Sequence, residues 1–349
     1  MPFEAARSDL HFPVATAPAP GEITAIAPGV LWLRLPLPFQ LDHVNIYLIE
    51  DGPGWAVVDA GYGDDRTRAV WEAVTAGALA GRKLTRLIVT HFHPDHVGLA
   101  GWLAERFGLP LAMSQTEYMF GLALQQPSSA AQDATQRAFY RRHGLSAEAT
   151  ANVAGDGHAY LRATTGMPPV FRRLIAGDSI RIGERRFQVL TGAGHAPEQV
   201  MLHCAADRLF LAADQVLAKI SPHIGIWAME PEADPLGEYL RSLAALRAAL
   251  PDDVLVLAAH NLPFFGLHAR IDQLIGHHAA RCDAVAAACR PAPRAAADIV
   301  PLLFRRVPDA HQRGFALREV LAHINHMLPE GRLAPSDGTD GVRRFQAGG

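Results

Sequence analysis

The apolar, β-branched run Leu84–Thr90 breaks directly into His91-Phe92-His93-Pro94-Asp95-His96, and a helix-like stretch follows. A buried strand that ends on four ligand-capable side chains constrains this chain more than any other feature. The strand must lie within a covered sheet, while its end must stay open to whatever the imidazoles and carboxylate hold. With 17 histidines in 349 residues, an H-x-H-x-D-H pattern has a chance expectation of only about 0.002. A polar loop with Asp95 as an ordinary N-cap does not account for it.

Three later segments repeat the placement. His195 lies in VLTGAGHAPEQV, where Gly192 and Gly194 let backbone approach a site closely; Asp214 ends RLFLAAD, and His260 ends DVLVLAAH. Singly, each reads as a satisfied structural residue. Together with the first motif they supply the roughly six or seven protein ligands that a pair of cations requires. His91 and His93 can converge on one cation while Asp95 and His96 face a second, and imidazole with carboxylate suits zinc or iron.

Around these points, short strand-like runs alternate with helical stretches from Ile23 onward, which predicts a layered α/β domain. Helices are expected at about 65–79, after the histidine motif, over 235–250 and over 267–289. Residues 116–169 are Ala/Gln/Arg-rich with helical periodicity and read as an insertion, suited to a lid or substrate wall. Tyr118, Phe139 and Tyr140 are its candidate wall residues, although aromatics on such a stretch read first as the insertion's own core. The expected domains are an irregular arm at 1–22, a main domain at 23–290, and a small C-terminal unit at 291–349. In that unit, two helices precede a hairpin with DGTDG at its tip, a winged-helix-like outline.

Composition narrows the partners. A formal charge of -3 supplies no global pull toward nucleic acid or acidic membranes, and RRH at Arg141–His143 and FRR at Phe304–Arg306 read as solvated faces. No apolar stretch approaches the ~20 residues of a membrane span, and the N-terminus has no secretory pattern, so a cytoplasmic location is the expectation. Cys204, Cys282 and Cys289 are too few and scattered for a disulfide framework. His277, His278, His323 and His326 lie in helical contexts and read as packing or helix-face residues.

The ordered set of Asp59 in VVDAG, HFHPDH, GHAP, AAD and AAH resembles the metallo-β-lactamase-fold superfamily, over about 23–290. The long helix and C-terminal unit look like its lactamase-beta-like branch, which includes glyoxalase II-type thioesterases and some ribonucleases. The resemblance implies an αββα sandwich with a two-metal site at one edge. His91, His93 and His195 would bind one metal and Asp95, His96 and His260 the other, with Asp214 bridging and Asp59 buttressing the loop. It implies two divalent ions, zinc first, with iron or manganese as alternatives. This sequence departs at Ala196-Pro197-Glu198-Gln199, where the family has Thr-Pro-Gly-His, at Ala213 for glycine, and at Ala-Ala-His260-Asn261. Glu198 reads as a solvated loop residue.

The expected activity is hydrolysis of an ester or thioester by a hydroxide bridging two metals, with Asp95 as the catalytic proton carrier. A small-molecule substrate is expected, membrane and nucleic acid are not, and the C-terminal unit would suit a homodimer. A metal-dependent ribonuclease is the alternative, and a mononuclear iron sulfur dioxygenase a more distant one.

Overall fold

The computed structural model describes residues 10–154, 159–304 and 309–348. Residues 1–9 of the expected arm, 155–158 of the insertion, and Arg305 and Arg306 of the FRR run lie outside the described residues. The chain divides into two compact units. One comprises residues up to 126, 159–222 and 246–271; the other comprises 127–158, 223–245 and 272–349.

The first unit is built on two sheets. Strands β1 (Ile23–Ala27), β2 (Val30–Pro36), β3 (His43–Asp51), β4 (Gly54–Val58), β5 (Lys83–Ile88), β6 (Leu111–Met113) and β7 (Phe171–Arg173) pair in chain order. Strands β8 (Ser179–Ile182), β9 (Arg185–Gly192), β10 (Gln199–Cys204), β11 (Leu209–Ala213) and β12 (Leu255–Ala258) form the second sheet, again in chain order. Every residue of β4, β10, β11 and β12 is buried. Strands buried throughout need cover on both faces. Between the sheets, Trp32, Tyr47, Ile49, Val58 and Ile88 meet Phe187, Val189, Val200, Leu202, Leu211 and Leu257 in one apolar core.

Helices supply the outer cover. Helix Asp65–Ala76 starts where Asp64 accepts from the Thr67 backbone N–H, and it buries Trp71 and Val74. It ends at Ala76, three residues short of the expected end at Leu79, because Gly77 already caps onto the Ala73 carbonyl. β4–β5 and β5–β6 pair in parallel, so each link must cross over through helix, here Asp65–Ala76 and then Pro94–Val97 with Ala100–Phe107. This is the predicted αββα sandwich.

The second unit contains helices Ala130–Arg142, Ala147–Ala154, Ala296–Leu303 and Ala310–Met327. Its sheet has β13 (Arg294–Ala295), β14 (Leu333–Asp337) and β15 (Arg343–Ala347), in the order β13-β15-β14. The two helices and hairpin drawn from the sequence are present. β13 is an addition, since two residues carry no periodicity to read. Among the described residues no helix is long and apolar enough to cross a membrane.

Of the two readings of the insertion's aromatics, the packing one holds. Tyr118 stacks on Phe171 with ring centroids 3.8 Å apart and donates its hydroxyl to the Pro168 carbonyl at 2.8 Å. Phe139 and Tyr140 are buried in the second unit. Large rings on a helix face gain more from burial than from exposure, and that decides their place.

Candidate metal centre

The predicted residues all lie in the first unit, at the ends of its strands. His91 to His96 follow β5, His195 follows β9, Asp214 follows β11, and His260 follows β12. Backbone hydrogen bonds lock these ends together. Val200 N–H donates to the Thr90 carbonyl at 2.8 Å, Ala259 N–H to Ala213 at 3.0 Å, and Asn45 N–H to Ala259 at 2.7 Å. At Gly98, just past the histidine motif, an added Cβ would lie 2.3 Å from the Pro94 carbonyl and 2.4 Å from the Gly63 nitrogen. Only glycine lets the two loops approach so closely.

Three overlapping groups result, each with ligand atoms within 4.8 Å of one another: His91, His93 and His195; His91, His96 and Asp214; Asp95, His96 and His260. Asp214 faces two ways. Its Oδ2 lies 3.2 Å from His195 Nε2, while its Oδ1 lies 3.6 Å from His96 Nε2 and 3.4 Å from His260 Nε2. Asp95 Oδ2 stands 3.6 Å from His96 Nε2 and 3.4 Å from His260 Nε2. His93 presents Nδ1, 3.0 Å from His195 Nε2.

The outer nitrogens of His96 and His260 are engaged, so their inner nitrogens are fixed. His96 Nδ1 is 2.8 Å from Asp59 Oδ2, and His260 Nδ1 is 2.8 Å from the His43 carbonyl. Both partners can only accept, so Nδ1 donates and Nε2 is left for the centre. Asp59 is buried and also accepts from the Thr90 backbone N–H at 2.8 Å and hydroxyl at 3.0 Å. Its φ of 68° puts a non-glycine residue in the left-handed region, a strain that these three hydrogen bonds offset. Asp59 is more than a turn residue: its carboxylate fixes the orientation of the His96 ring.

The donor set fits a divalent cation. His91 Nε2, His96 Nε2 and Asp214 Oδ1 are buried and have no hydrogen-bond partner among the described residues. Each such atom carries a desolvation cost of about 1–3 kcal/mol if nothing compensates it. Charge is uneven across the cluster. Burial, then the neighbouring imidazoles, hold His91 and His93 well below the usual histidine range. Burial opposes protonation of His96 and His260 too, yet the surrounding carboxylates raise both above it. Asp95 and Asp214 are pulled down by the same imidazoles against their own burial.

The departures in sequence have structural counterparts. Gln199 is fully buried; its Oε1 accepts from the Asp214 backbone N–H at 3.2 Å and its Nε2 donates to Gln215 Oε1 at 3.1 Å. The β11–β12 register shifts between Leu211 and Ala213, and Ala213 has a φ of 46°. That bulge turns Asp214 inward at a cost of about 1 kcal/mol for a residue with a Cβ. Asn261, at a φ of 67°, does the same after His260. Glu198 is not a solvated loop residue: it is half-buried and hydrogen-bonded to the helix Gln115–Leu124. Glu117 on that helix was missed altogether, because a glutamate within QTEYMFGLAL reads as an exposed helix position. Burial pushes its carboxyl up to about 7 against the pull of two backbone donors.

Comparison with known proteins agrees with this geometry. The model of the metallo-beta-lactamase superfamily matches residues 40–260, and that of the metallo-beta-lactamase-like C-terminal domain matches 282–348. The crystal structure of a beta-lactamase domain protein from Burkholderia ambifaria is 41% identical, covers 99% of this chain and 100% of its own, and superposes with a TM-score of 0.90. A probable metallo-hydrolase of Bacillus subtilis is 23% identical over 86% of this chain and 92% of its own. A hydroxyacylglutathione hydrolase of Cereibacter sphaeroides is 25% identical over 63% of this chain and 66% of its own. With its sandwich fold, its histidine–aspartate cluster and these matches, the chain belongs to the metallo-beta-lactamase superfamily and is a metal-dependent hydrolase.

Proposed function

We propose that this hydrolase cleaves carboxylic esters or thioesters with the help of two divalent cations, zinc in the first instance. One observation carries the reading. Three ligand groups interlock through His91 and His96, with buried atoms on His91, His96 and Asp214 that have no hydrogen-bond partner among the described residues. A single-ion site would leave one group, and its desolvation cost, without purpose.

His91, His93 and His195 would hold one cation; Asp95, His96 and His260 would hold the other. Asp214 would serve both, since its two oxygens face different groups. Cations bound there would supply Lewis acidity for activating water and polarising a substrate carbonyl. The chain's own residues do the rest. Asp59 and the His43 carbonyl keep His96 and His260 oriented. Asp95 is the proton carrier: its side chain is 21% exposed, against 8% for Asp214, so it can take a proton from the attacking water and hand it to the leaving group. A thiolate leaving group suits this site because it needs little protonation to depart. The relative named for hydrolysing an acyl-glutathione supports that choice of substrate.

The test is a substrate series on zinc-, manganese- and iron-loaded protein: acyl-CoA, acyl-glutathione, lactone, β-lactam and phosphodiester. Thioester or ester cleavage should dominate, and His93→Ala should abolish it. Preferential phosphodiester cleavage would replace this reading with the ribonuclease one. Oxygen uptake on a persulfide by iron-loaded protein would replace it with a dioxygenase.

A further inference from the structure

Outside the ligand groups, two glutamates grip the loops that carry them. Glu117, on helix Gln115–Leu124, is fully buried. Its Oε2 accepts from the Phe92 backbone N–H at 3.1 Å, and its Oε1 accepts from the Glu198 backbone N–H at 2.6 Å. Phe92 stands between His91 and His93, and Glu198 lies three residues past His195. One carboxylate therefore ties together the two loops that contribute the first ligand group.

The grip is returned. Glu198 Oε2 accepts from the Thr116 backbone N–H at 3.1 Å, and the Glu198 carbonyl accepts from Ser114 Oγ at 2.8 Å. Ser114 occupies the N-cap position of helix Gln115–Leu124 but makes no side-chain cap. Its hydroxyl is turned to the 198 carbonyl instead, and the Glu198 carboxylate takes over one of the orphan donors of the first turn. Glu198 is thus the capping residue of a helix some 80 positions upstream. Four hydrogen bonds, two in each direction, join the helix to the His195 loop or to the loop of His91 and His93.

We propose that Glu117 and Glu198 form a reciprocal clasp that fixes the spacing of His91 and His93 from His195. They are positioning residues, since neither joins a ligand group. The chemistry specifies a carboxylate at 117. Both of its oxygens accept, one from each loop, and these two hydrogen bonds counter part of the burial. Glutamine has a single acceptor oxygen, so its amide nitrogen would face one of the two backbone donors and push that loop away. Among the described residues no lysine or arginine pairs with Glu117, so the two backbone donors are its principal support. The proposal rests on the reading that the first group holds a cation, and its test separates the two.

Apo protein is titrated with cobalt(II), following the visible absorption of the bound ion and its affinity by chelator competition. Wild type, Glu117→Gln and Glu198→Ala are compared, with thermal unfolding of each apo form alongside. Two ions binding to wild type is the outcome the underlying reading needs; none binding removes that reading, and the clasp with it. If wild type binds, Glu117→Gln should weaken one of the two ions by about 10–100-fold and change its spectrum, while the other is retained. Glu198→Ala should weaken the same ion by less, since the Glu117 carboxylate still holds both loops. Lower thermal stability with both ions and spectra unchanged would overturn the proposal, leaving only a structural tie. Should Glu117→Gln not fold, Glu198→Ala decides alone by the same measurements.

Discussion

Each unit of this protein buries a knot of histidines, and the two knots differ in one respect. In the first unit the inner nitrogens of His91 and His96 converge with Asp95 and Asp214. In the second, His323 Nδ1 lies 2.7 Å from the Glu319 carbonyl and therefore donates to it, which leaves His323 Nε2 to accept from His278 Nδ1 at 3.1 Å. That chain leaves His278 Nε2 buried with no partner among the described residues, as in the first knot. Yet among the described residues no third ligand atom gathers around it, and the nearby carboxylate of Glu319 is taken up by Arg281 and by His223. A buried imidazole lone pair is therefore common ground; convergence with uncommitted carboxylates separates a site from a packing device.

The largest effect that could break this contrast is at Asp214. Asp214→Ala should cost at least about 10²–10³-fold in hydrolysis, together with loss of bound metal by elemental analysis. Full activity in a metal-loaded Asp214→Ala sample would reduce the first knot to a packing device like the second. The mirror experiment is Glu319→Gln, which leaves the Arg281 guanidinium without its carboxylate. Denaturant unfolding should show a loss of about 3–5 kcal/mol, with metal content unchanged. Metal loss in that variant would mean the second knot also holds an ion.

Asp59→Asn sharpens the contrast from outside the ligand groups. The amide can present its nitrogen to His96 Nδ1 or to the Thr90 N–H, and either choice opposes a donor. Metal affinity should fall by about 10–100-fold, measured by chelator competition, while the fold is retained. Affinity equal to wild type would show that β-strand geometry alone orients His96.

How much of this is readable beforehand depends on distance along the chain. The seven ligand-capable residues and Asp59 lie at or just past the ends of apolar runs, so a local pattern marks them, and the same runs announce both sheets. Glu117 and Glu198 carry no such mark, because their partners lie 25 to 84 positions away and nothing nearby distinguishes them from surface glutamates. Tyr118, Phe139 and Tyr140 are ambiguous for another reason: an aromatic on a helical insertion looks the same whether it lines a pocket or fills a core, and only the general gain from burial favours the core reading that the structure bears out. The second knot was legible as packing, since His278 and His323 sit at helical spacing without flanking carboxylates at a strand end.

The smallest predicted effect is a pH dependence that belongs to the second knot. Burial, then the charge of His323 and His277, pushes His278 down to about 3 from an ordinary 6.5, with Glu319 pulling weakly the other way. Its folded pKa is depressed, so between these values the unfolded chain binds a proton that the folded chain refuses. The contribution to stability is therefore complete above about pH 6.5 and is lost progressively as the pH falls toward 3. At pH 5 the loss is 1.5 pH units' worth, about 2 kcal/mol. Other buried histidines titrate in the same window, so the informative quantity is the difference between wild type and His278→Met. Urea unfolding at pH 7, 6 and 5 should show a shallower decline in the variant by about that amount. Parallel declines would mean that His278 takes up its proton within the fold, and the second knot would then be a charged site, closer to the first than its hydrogen bonds suggest.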